Sequence, residues 1–325
     1  MNAVWIPLLL FVAGLGVLTA GAEFLVRGAS RLALRYGVSP LVVGLTVVAF
    51  GTSAPELAVS VRAAFQGNGD IAVGNIVGSN IFNVAFILGL ASLICPLSVH
   101  LQIVRREMPV MLVSAMIFVV MLANGGIARW EGLLLLIAVI AYTALAIRVA
   151  RSEPASPGEV PDDLAVLGKE RFNSVAVSAM LVITGLGLLV AGAALMVDNA
   201  SLVARRLGVS EAAIGLTVVA AGTSLPELAT SVVAALRRET DIAVGNIVGS
   251  NIFNVLCIGG VAGVIAPPVV ATGITGVDFG FMLGTSFLVL PLMRTNFSIS
   301  RWEGAVLLAT YGLYLHLSWP SYPGD

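Results

Sequence analysis

The sequence predicts an all-α polytopic membrane protein with ten transmembrane helices, arranged as two inverted-topology five-helix repeats in which helices two and seven are broken. Three observations predict this fold: an apolar composition, ten apolar stretches, and an internal repeat that contains an odd number of them. Residues of the AVILMFWYC set make up 58% of the chain. Asp, Glu, Lys and Arg make up only 11%, against about 25% in soluble domains. So few charges cannot cover a soluble protein of 325 residues, and we expect the chain to lie in a lipid bilayer.

The charge balance and the cysteines exclude several other classes of protein. The 17 basic and 18 acidic residues nearly cancel, which excludes a polybasic nucleic-acid binder and an acidic disordered chain. Cys95 and Cys257 both lie in apolar runs, which excludes a disulfide framework. The chain has no G-x-x-x-x-G-K-[ST] motif, so we do not expect ATP to drive it. We also expect no cofactor.

Ten stretches are candidates for membrane spans, each of which needs about 20 mainly apolar residues. Seven are free of Asp, Glu, Lys and Arg over their full length, and three more are short or interrupted. The seven are 1–22, 36–55, 71–104, 108–128, 172–197, 242–277 and 304–324, and the three are 132–147, 212–226 and 279–293. We predict a first repeat over 1–150, a cytoplasmic linker rich in Pro, Glu and Asp over 151–171, and a second repeat over 172–325.

The basic residues predict the orientation of the chain, because Lys and Arg concentrate in cytoplasmic loops. With the N-terminus outside, only Arg62, Arg129, Arg205 and Arg206 of the 17 basic residues fall on the outer side. We therefore predict a multi-pass protein of the cell (inner) membrane with both termini outside.

The internal repeat has an offset of 171 residues. Residues 44–60 read GLTVVAFGTSAPELAVS and residues 215–231 read GLTVVAAGTSLPELATS, identical at 14 of 17 positions. Residues 70–84 and 241–255 both read DIAVGNIVGSNIFNV. Because each unit contains five spans, the second unit must enter the membrane from the opposite side. Such inverted repeats are common among secondary transporters, which bind substrate at the repeat interface, but duplication also produces channels and structural bundles.

Glu56 and Glu227 occupy equivalent positions inside apolar sequence. An acidic residue at the centre of a membrane helix costs about 2.5–3.5 kcal/mol on insertion scales. All basic residues fall near the predicted span ends, so a bound cation or a proton must neutralise these carboxylates. A protonated glutamate that serves only as a structural hydrogen-bond donor is the other interpretation.

Each glutamate follows a proline, Pro55 or Pro226. Proline lacks an N–H group, which predicts a broken helix whose freed carbonyls face a cavity. The hydroxyl groups around each break belong to Thr52, Ser53, Thr223 and Ser224. Carbonyl, hydroxyl and carboxylate oxygens together suit a hard cation such as calcium or sodium. The plainer interpretation is a proline kink with hydroxyls bonded to their own backbone.

The span after each glutamate carries polar residues spaced by four, which place them on one stripe of a helix. They are Asn75, Ser79 and Asn83 in the first repeat and Asn246, Ser250 and Asn254 in the second. We expect Asn75 and Asn246 to bridge helices, and the four deeper residues to be candidates for the site.

Four other acidic residues and both histidines are not candidates for the site. We expect Asp70 and Asp241 to be helix N-caps. Asp198 and Asp278 are expected near the outer surface, without an acidic counterpart in the other repeat. His100 and His316 are expected to be isolated near span ends, which argues against a transition-metal site.

The motifs GTSAPEL and GTSLPEL, each followed by GNIVGSNIFN, resemble the two alpha-repeats of the sodium/calcium exchanger family, within the cation/calcium exchanger superfamily. The resemblance implies sodium/calcium antiport by alternating access, with the first and sixth helices sliding against an eight-helix core. We expect a monomer to be the functional unit. It implies a cation cluster formed by the second, third, seventh and eighth helices. The implied ligands are the carboxylates of Glu56 and Glu227, oxygens of Thr52, Thr223, Ser53, Ser224, Ser79 and Ser250, and the backbone carbonyls of Ala49 and Ala220, with Asn83 and Asn254 lining the middle.

One departure from the family pattern concerns Asn254, where some exchangers, including potassium-dependent ones, have Asp. The two central carboxylates give the site a formal charge of −2, which one calcium ion balances and a fully sodium-loaded cluster would exceed. We therefore do not expect potassium co-transport, and the sodium stoichiometry stays open. Proton-coupled relatives typically show G-N-A-x-E in place of G-T-S-x-P-E, which favours sodium as the driving ion.

Three other functions remain as alternatives. Calcium/proton exchange through the same glutamates is the nearest, and a passive cation channel is another. A membrane hydrolase that uses Ser53 or Ser224 would lack a His or Lys base, so we do not expect an enzyme.

Overall fold

The computed structural model describes residues 5–152, 175–206 and 220–318. The helices in chain order are α1 (Trp5–Tyr36), α2 (Pro40–Thr52), α3 (Ala54–Phe65), α4 (Gly69–Ile94), α5 (Ile103–Ala123), α6 (Arg129–Ser152), α7 (Val175–Arg206), α8 (Ala220–Thr223), α9 (Leu225–Leu236), α10 (Thr240–Ile265), α11 (Gly276–Arg294) and α12 (Arg301–Ser318). Two short strands, β1 (Leu97–Ser98) and β2 (Ser298–Ile299), pair antiparallel. Apart from its first two residues, which end α6, the predicted linker lies outside the described residues, as does the start of the seventh predicted span.

Within the described ranges, seven helices are long and apolar enough to cross a membrane, namely α1, α4, α5, α6, α7, α10 and α11. Helices α2 and α3 together form an eighth candidate, bent by 45° at the break between them. Helix α9 is apolar but short, and α12 begins with the charged residues Arg301 and Glu303. The predicted all-helical membrane class is therefore confirmed.

The two predicted helix breaks occur at Ser53 and Ser224. Ser53 separates α2 from α3 with φ −80° and ψ 8°, and Ser224 separates α8 from α9 with φ −89° and ψ 8°. In both places a proline follows two residues later, at a position in the first helical turn where its missing N–H costs no hydrogen bond. Both glutamates consequently lie in the first turn of a new helix.

The centre of the molecule consists of α4 and α10, which carry the identical 15-residue segments. In the most apolar 18 residues of α4 and α10, 72% and 83% of the residues are buried, against 33% in the corresponding parts of α1 and α7. Each central helix contains one π-helical turn, Phe82–Ile87 in α4 and Asn254–Ile258 in α10. These turns include Asn83 and Asn254, and π-turns within α-helices frequently mark functional positions.

Helices α1 and α7 pack against each other through glycines and run antiparallel. Gly14 of α1 faces Gly192 of α7, whereas Gly28 faces Ser178, so the residue numbers of the partners fall as those of α1 rise. Small residues at such contacts let two helix backbones approach closely.

The two repeats are also joined at the ends of their helices. Strand β1 of the first repeat pairs with β2 of the second, and Ile127 forms an isolated bridge with Val269. Leu97 and Ile299 are fully buried at the first of these contacts. Loops of both repeats therefore pack together on more than one side of the helices.

The prediction that Asp70 and Asp241 are helix caps is wrong. Neither helix start has a side-chain cap hydrogen bond. Asp70 Oδ1 accepts a hydrogen bond from the Gly273 backbone N–H at 2.8 Å, and Asp241 Oδ2 lies 3.2 Å from His100 Nε2. Each aspartate thus contacts a loop of the other repeat, and His100 is not isolated.

The prediction that Asp278 has no acidic counterpart is also wrong. Glu107 lies 171 residues earlier, and both carboxylates are buried. The Tyr314 hydroxyl donates to Asp278 Oδ1 at 2.9 Å, and the Tyr142 hydroxyl donates to Glu107 Oε2 at 2.8 Å. The repeat thus includes a buried tyrosine–carboxylate pair that connects α5 with α6 and α11 with α12.

Gly21 tests the close packing of α1 on α7. A Cβ atom at this position would lie 2.7 Å from the Leu189 backbone nitrogen, so Gly21→Ala must push the helices apart. We expect a destabilisation of about 1–3 kcal/mol, seen as a lower melting temperature in detergent. Gly16→Ala is the matched control, because no atom lies within 4 Å of its added Cβ. Equal melting temperatures for the two variants would contradict this packing.

Glu239 predicts a pH dependence of stability. It lies between α9 and α10, and burial raises the pKa of its carboxyl group, to which the nearby Asp241 carboxylate adds. A group whose pKa is higher in the folded state stabilises the protein at low pH, and this contribution is lost as the pH rises through the folded-state pKa.

The neutral variant Glu239→Gln should therefore gain melting temperature relative to the parent protein as the pH rises from about 4 to 7. Thermal denaturation in detergent across this range measures the difference. Parallel curves for the two proteins would show that Glu239 is not responsible.

Candidate cation-binding site

Glu56 and Glu227 are the two carboxylates of the predicted site, and each is 1% exposed. The breaks at Ser53 and Ser224 put them in the first turns of α3 and α9. Helix N-termini carry partial positive charge, which favours a carboxylate at these positions. The helix breaks therefore let the chain hold an acidic side chain where a continuous helix would give it no such stabilisation.

Each glutamate accepts a hydrogen bond from a serine of the other repeat. Ser224 Oγ donates to Glu56 Oε1 at 2.8 Å, and Ser53 Oγ donates to Glu227 Oε1 at 2.9 Å. Ser224 Oγ also lies 3.2 Å from Ser79 Oγ. Residues that are about 170 positions apart in the chain thus surround one centre, and neither repeat could complete it alone.

The threonines beside the breaks also reach across. Thr52 Oγ1 donates to Asn246 Oδ1 at 3.0 Å, and Asn246 Nδ2 donates to Ser231 Oγ at 3.1 Å. The related set in the other repeat is Thr223 to Asn75 at 3.4 Å and Asn75 to Ser60 at 2.9 Å. Both asparagines therefore bridge helices, as predicted, and their amide groups are engaged at both ends.

Ser250 and the Ala49 carbonyl lie on the opposite side of the break from Glu56. Ser250 Oγ donates to Ala49 O at 3.5 Å, and this carbonyl also accepts from Thr52 Oγ1 at 3.3 Å and from the Ser53 backbone N–H at 3.1 Å. Ala220, the equivalent of Ala49, begins α8. The hydroxyls of Ser250 and Thr52 thus meet the Ala49 carbonyl at the first break.

Four buried oxygens of this region have no hydrogen-bond partner. In the described part of the chain, eight buried side-chain polar atoms lack a partner, and four of them are Glu56 Oε2, Glu227 Oε2, Asn83 Oδ1 and Asn254 Oδ1. They form two pairs related by the 171-residue repeat. Buried polar atoms are normally hydrogen-bonded, so an unpartnered set that follows the repeat indicates a binding site for a group that is not part of the chain.

The charge of this region is also uncompensated. Among the residues that the structure describes, neither Glu56 nor Glu227 forms an ion pair with Lys, Arg or His. Two carboxylates held away from water without a countercharge are strongly unfavourable. A cation bound between them would remove the penalty.

The donor atoms indicate which cations would fit. The oxygens come from carboxylates, amides, hydroxyls and backbone carbonyls, which hard cations such as calcium and sodium prefer. In the described residues, no three His, Cys, Asp or Glu side chains lie close enough together to hold a metal ion. A site for zinc or another transition metal built from those residues is thus absent from this part of the chain.

Two asparagines next to the site were missed by the sequence reasoning. Asn80 Oδ1 accepts from Asn254 Nδ2 at 3.0 Å, and Asn251 Oδ1 accepts from Asn83 Nδ2 at 3.0 Å. Both lie outside the helical stripes of residues spaced by four, so the spacing did not select them as candidates for the site. Their position inside the identical 15-residue segments could have marked them as candidates.

Comparison with known proteins supports a single family. A model of the family "Sodium/calcium exchanger protein" matches residues 6–148 and again 177–319. The two matched segments correspond closely to the two repeats.

Three relatives align over almost their whole length. The protein CaxA of Alkalimonas amylolytica is 36% identical, covering 95% of this chain and 98% of that protein. The inner membrane protein YrbG of Escherichia coli is 35% identical over 95% of each chain. The sodium/calcium exchanger MaX1 of Methanosarcina acetivorans is 33% identical, covering 94% of this chain and 97% of that protein.

Solved structures of the sodium-calcium exchanger NCX_Mj show the same fold. One, soaked with 10 mM Na⁺ and 10 mM Sr²⁺, superposes with a TM-score of 0.83 at 32% identity and covers 96% of this chain and 98% of that chain. Another, soaked without Na⁺ and Ca²⁺, has a TM-score of 0.81 at 32% identity and covers 97% and 99%. With this membrane fold and two matches to the family model, the chain belongs to the sodium/calcium exchanger family.

Proposed function

We propose that the protein is a secondary antiporter that exchanges sodium ions for calcium by alternating access, with Glu56 and Glu227 at the centre of its cation cluster. The observation that carries the proposal is the pair of buried carboxylates without a countercharge, each with one unpartnered oxygen. Family membership supports cation antiport. The solved structures of NCX_Mj include one soaked with sodium and strontium and one soaked with sodium and calcium.

The charge of the cluster supports obligatory exchange. Glu56 and Glu227 give it a formal charge of −2 when it is empty, and the two unneutralised carboxylates oppose passage across an apolar barrier. One calcium ion balances this charge, and bound sodium ions also offset it, so a loaded cluster can change its side of access. Exchange follows because the protein returns only when it carries an ion.

The ligands that we propose all come from the segments around the two helix breaks and from α4 and α10. A serine of each repeat donates to the glutamate of the other, so movement of one repeat against the other would alter the contacts of both glutamates. The proposed ligands are Glu56, Glu227, Thr52, Ser53, Ser79, Asn83, Thr223, Ser224, Ser250 and Asn254, with the carbonyls of Ala49 and Ala220.

We also propose ten spans in two inverted repeats, over 1–150 and 172–325, joined by a cytoplasmic linker over 151–171. The antiparallel packing of α1 on α7 supports this arrangement, because equivalent helices of inverted repeats must cross the membrane in opposite directions. Glycines of both helices lie at this contact, where they let the two backbones approach closely. We propose that these two helices slide against the rest of the protein.

Contacts between the loops agree with the same topology. The predicted inner side contains β1 and β2, which pair, and His100 and Asp241, which lie 3.2 Å apart. The predicted outer side contains the bridge between Ile127 and Val269. None of these contacts joins an inner loop to an outer one.

We place the protein in the cell (inner) membrane with both termini outside, on the basis of the distribution of basic residues and of the inner-membrane relative. A single chain supplies both glutamates and both serine donors, so we propose that a monomer is the functional unit. The transporter relatives support a protein that is not an enzyme, and we propose no cofactor.

A thermal-shift measurement tests whether cations satisfy the carboxylates. Calcium at about 100 times its dissociation constant should stabilise the parent protein by about 2.7 kcal/mol. Glu56→Gln and Glu227→Gln remove one charge each and should lose most of this calcium-dependent rise in melting temperature. Glu131→Gln is the matched control, because Glu131 lies at the start of α6 and accepts the Ala128 N–H instead. Undiminished calcium shifts in both site variants would exclude the proposed ligands.

A transport assay tests the exchange itself. Proteoliposomes loaded with sodium should take up radiolabelled calcium, and Glu56→Gln or Glu227→Gln should reduce the initial rate about 30-fold or more, since losing one member of a buried charged contact costs about 2–5 kcal/mol. Glu131→Gln should transport at the parent rate. Near-normal sodium-dependent uptake by both site variants would refute the proposal.

The same vesicles distinguish the alternative functions. Vesicles preloaded with potassium or protons in place of sodium should take up little calcium. Uptake driven by a pH gradient without sodium would establish calcium/proton exchange through the same glutamates. Uptake without any counter-ion would establish a passive channel.

A further inference from the structure

Four asparagines form a closed hydrogen-bonded group where α4 meets α10. We call Asn80, Asn83, Asn251 and Asn254 the asparagine quartet; each is at most 4% exposed. Asn83 Nδ2 donates to Asn251 Oδ1, and Asn254 Nδ2 donates to Asn80 Oδ1, both at 3.0 Å. The two contacts are related by the 171-residue repeat, and each joins one repeat to the other.

The contacts decide which end of the Asn83 and Asn254 amides faces the cation cluster. A primary amide has an acceptor oxygen at one end and an NH₂ donor group at the other, and the two ends have nearly the same size. Only the oxygen can bind a cation. In both residues the NH₂ group is held by the other repeat, and the oxygen is the end left buried and without a partner.

Asn80 and Asn251 are themselves held in one orientation. Asn80 Nδ2 donates to the Asn251 backbone carbonyl at 3.5 Å, and Asn251 Nδ2 donates to the Asn80 backbone carbonyl at 3.4 Å. Because a carbonyl can only accept, these contacts fix the NH₂ end of each anchoring side chain. Their Oδ1 atoms are then available only as acceptors for Asn254 and Asn83.

We infer that Asn80 and Asn251 are positioning residues for cation binding, which hold the amides of Asn254 and Asn83 with their oxygens toward the ions. This inference rests on the proposed function. The pairing is crossed: Asn80 of the first repeat orients Asn254 of the second, and Asn251 orients Asn83. Neither positioning residue contacts the ions.

Charge explains why the orientation matters. With only two carboxylates in the cluster, neutral oxygens must supply the other ligands of a calcium ion. An unanchored amide can turn its NH₂ group toward the ion, which replaces a ligand by a repelling donor. An aspartate at the same position presents an oxygen in either orientation, so it needs no such anchor.

This difference between Asn and Asp provides the test. In the parent protein, Asn80→Ala should raise the KM for calcium about tenfold, equivalent to about 1.4 kcal/mol, with a smaller change in turnover. The same substitution in an Asn254→Asp background should raise KM by less than about twofold or should lower it, because the carboxylate has no donor that Asn80 could hold and one of its oxygens would face the Asn80 acceptor oxygen.

The crossed pairing supplies the matched control. Asn83→Asp adds the same charge to the cluster, but Asn83 is oriented by Asn251 and not by Asn80. Asn80→Ala in the Asn83→Asp background should therefore still raise KM about tenfold. Asn251→Ala should show the reverse pattern, rescued by Asn83→Asp and not by Asn254→Asp. If Asn80→Ala fails to give a monodisperse protein, the Asn251→Ala variants test the inference in its place.

Calcium-dependent thermal shifts of the same variants measure binding without transport. An equal loss of affinity in all backgrounds would overturn the inference, because it would mean that Asn80 and Asn251 only hold α4 and α10 together. Unchanged affinity in every background would overturn it as well. The sodium-driven uptake of the parent, and its loss in Glu56→Gln, are measured alongside, so a failure of the proposed function is recognised separately.

Discussion

Two carboxylates buried without a countercharge are the constraint on which the rest of the structure depends. Glu56 and Glu227 each receive one serine hydroxyl and the partial positive charge of a helix start, and each keeps one oxygen without a partner. Placing an acidic side chain at a helix start inside a membrane requires that a helix be broken there. The serines at the breaks and the prolines that follow them meet this requirement.

The second feature is that each repeat completes the surroundings of the other. Ser224 of the second repeat donates to Glu56 of the first, and Ser53 donates to Glu227. A site shared in this way lies on the seam between two similar units, where a small movement of one unit changes contacts of both carboxylates. That property links the duplicated sequence to the proposed alternating access, because binding and the relative position of the repeats cannot vary independently.

Local sequence rules failed where the partner of a polar side chain is distant in sequence. Asp70 and Asp241 stand where helix caps are common, but their carboxylates contact loops of the other repeat. Asp278 was predicted to have no acidic counterpart, although Glu107 lies 171 residues earlier, at the offset of the repeat. The Asp70 contact lies 203 residues away and the Asp241 contact lies in the other repeat, where spacing rules carry no information, whereas the counterpart of Asp278 could have been found from the repeat offset.

The sequence by itself determined the membrane class, the two-fold repeat, the positions of the helix breaks and the two central glutamates, because composition, apolar length, proline chemistry and repetition are properties of a linear chain. Only the tertiary structure decided which hydroxyl meets which carboxylate, and which asparagines accept hydrogen bonds from the amides of Asn83 and Asn254. These contacts arise where α4 and α10 of opposite repeats meet, and a hydrogen bond between such helices depends on their packing, which no periodicity along either helix encodes.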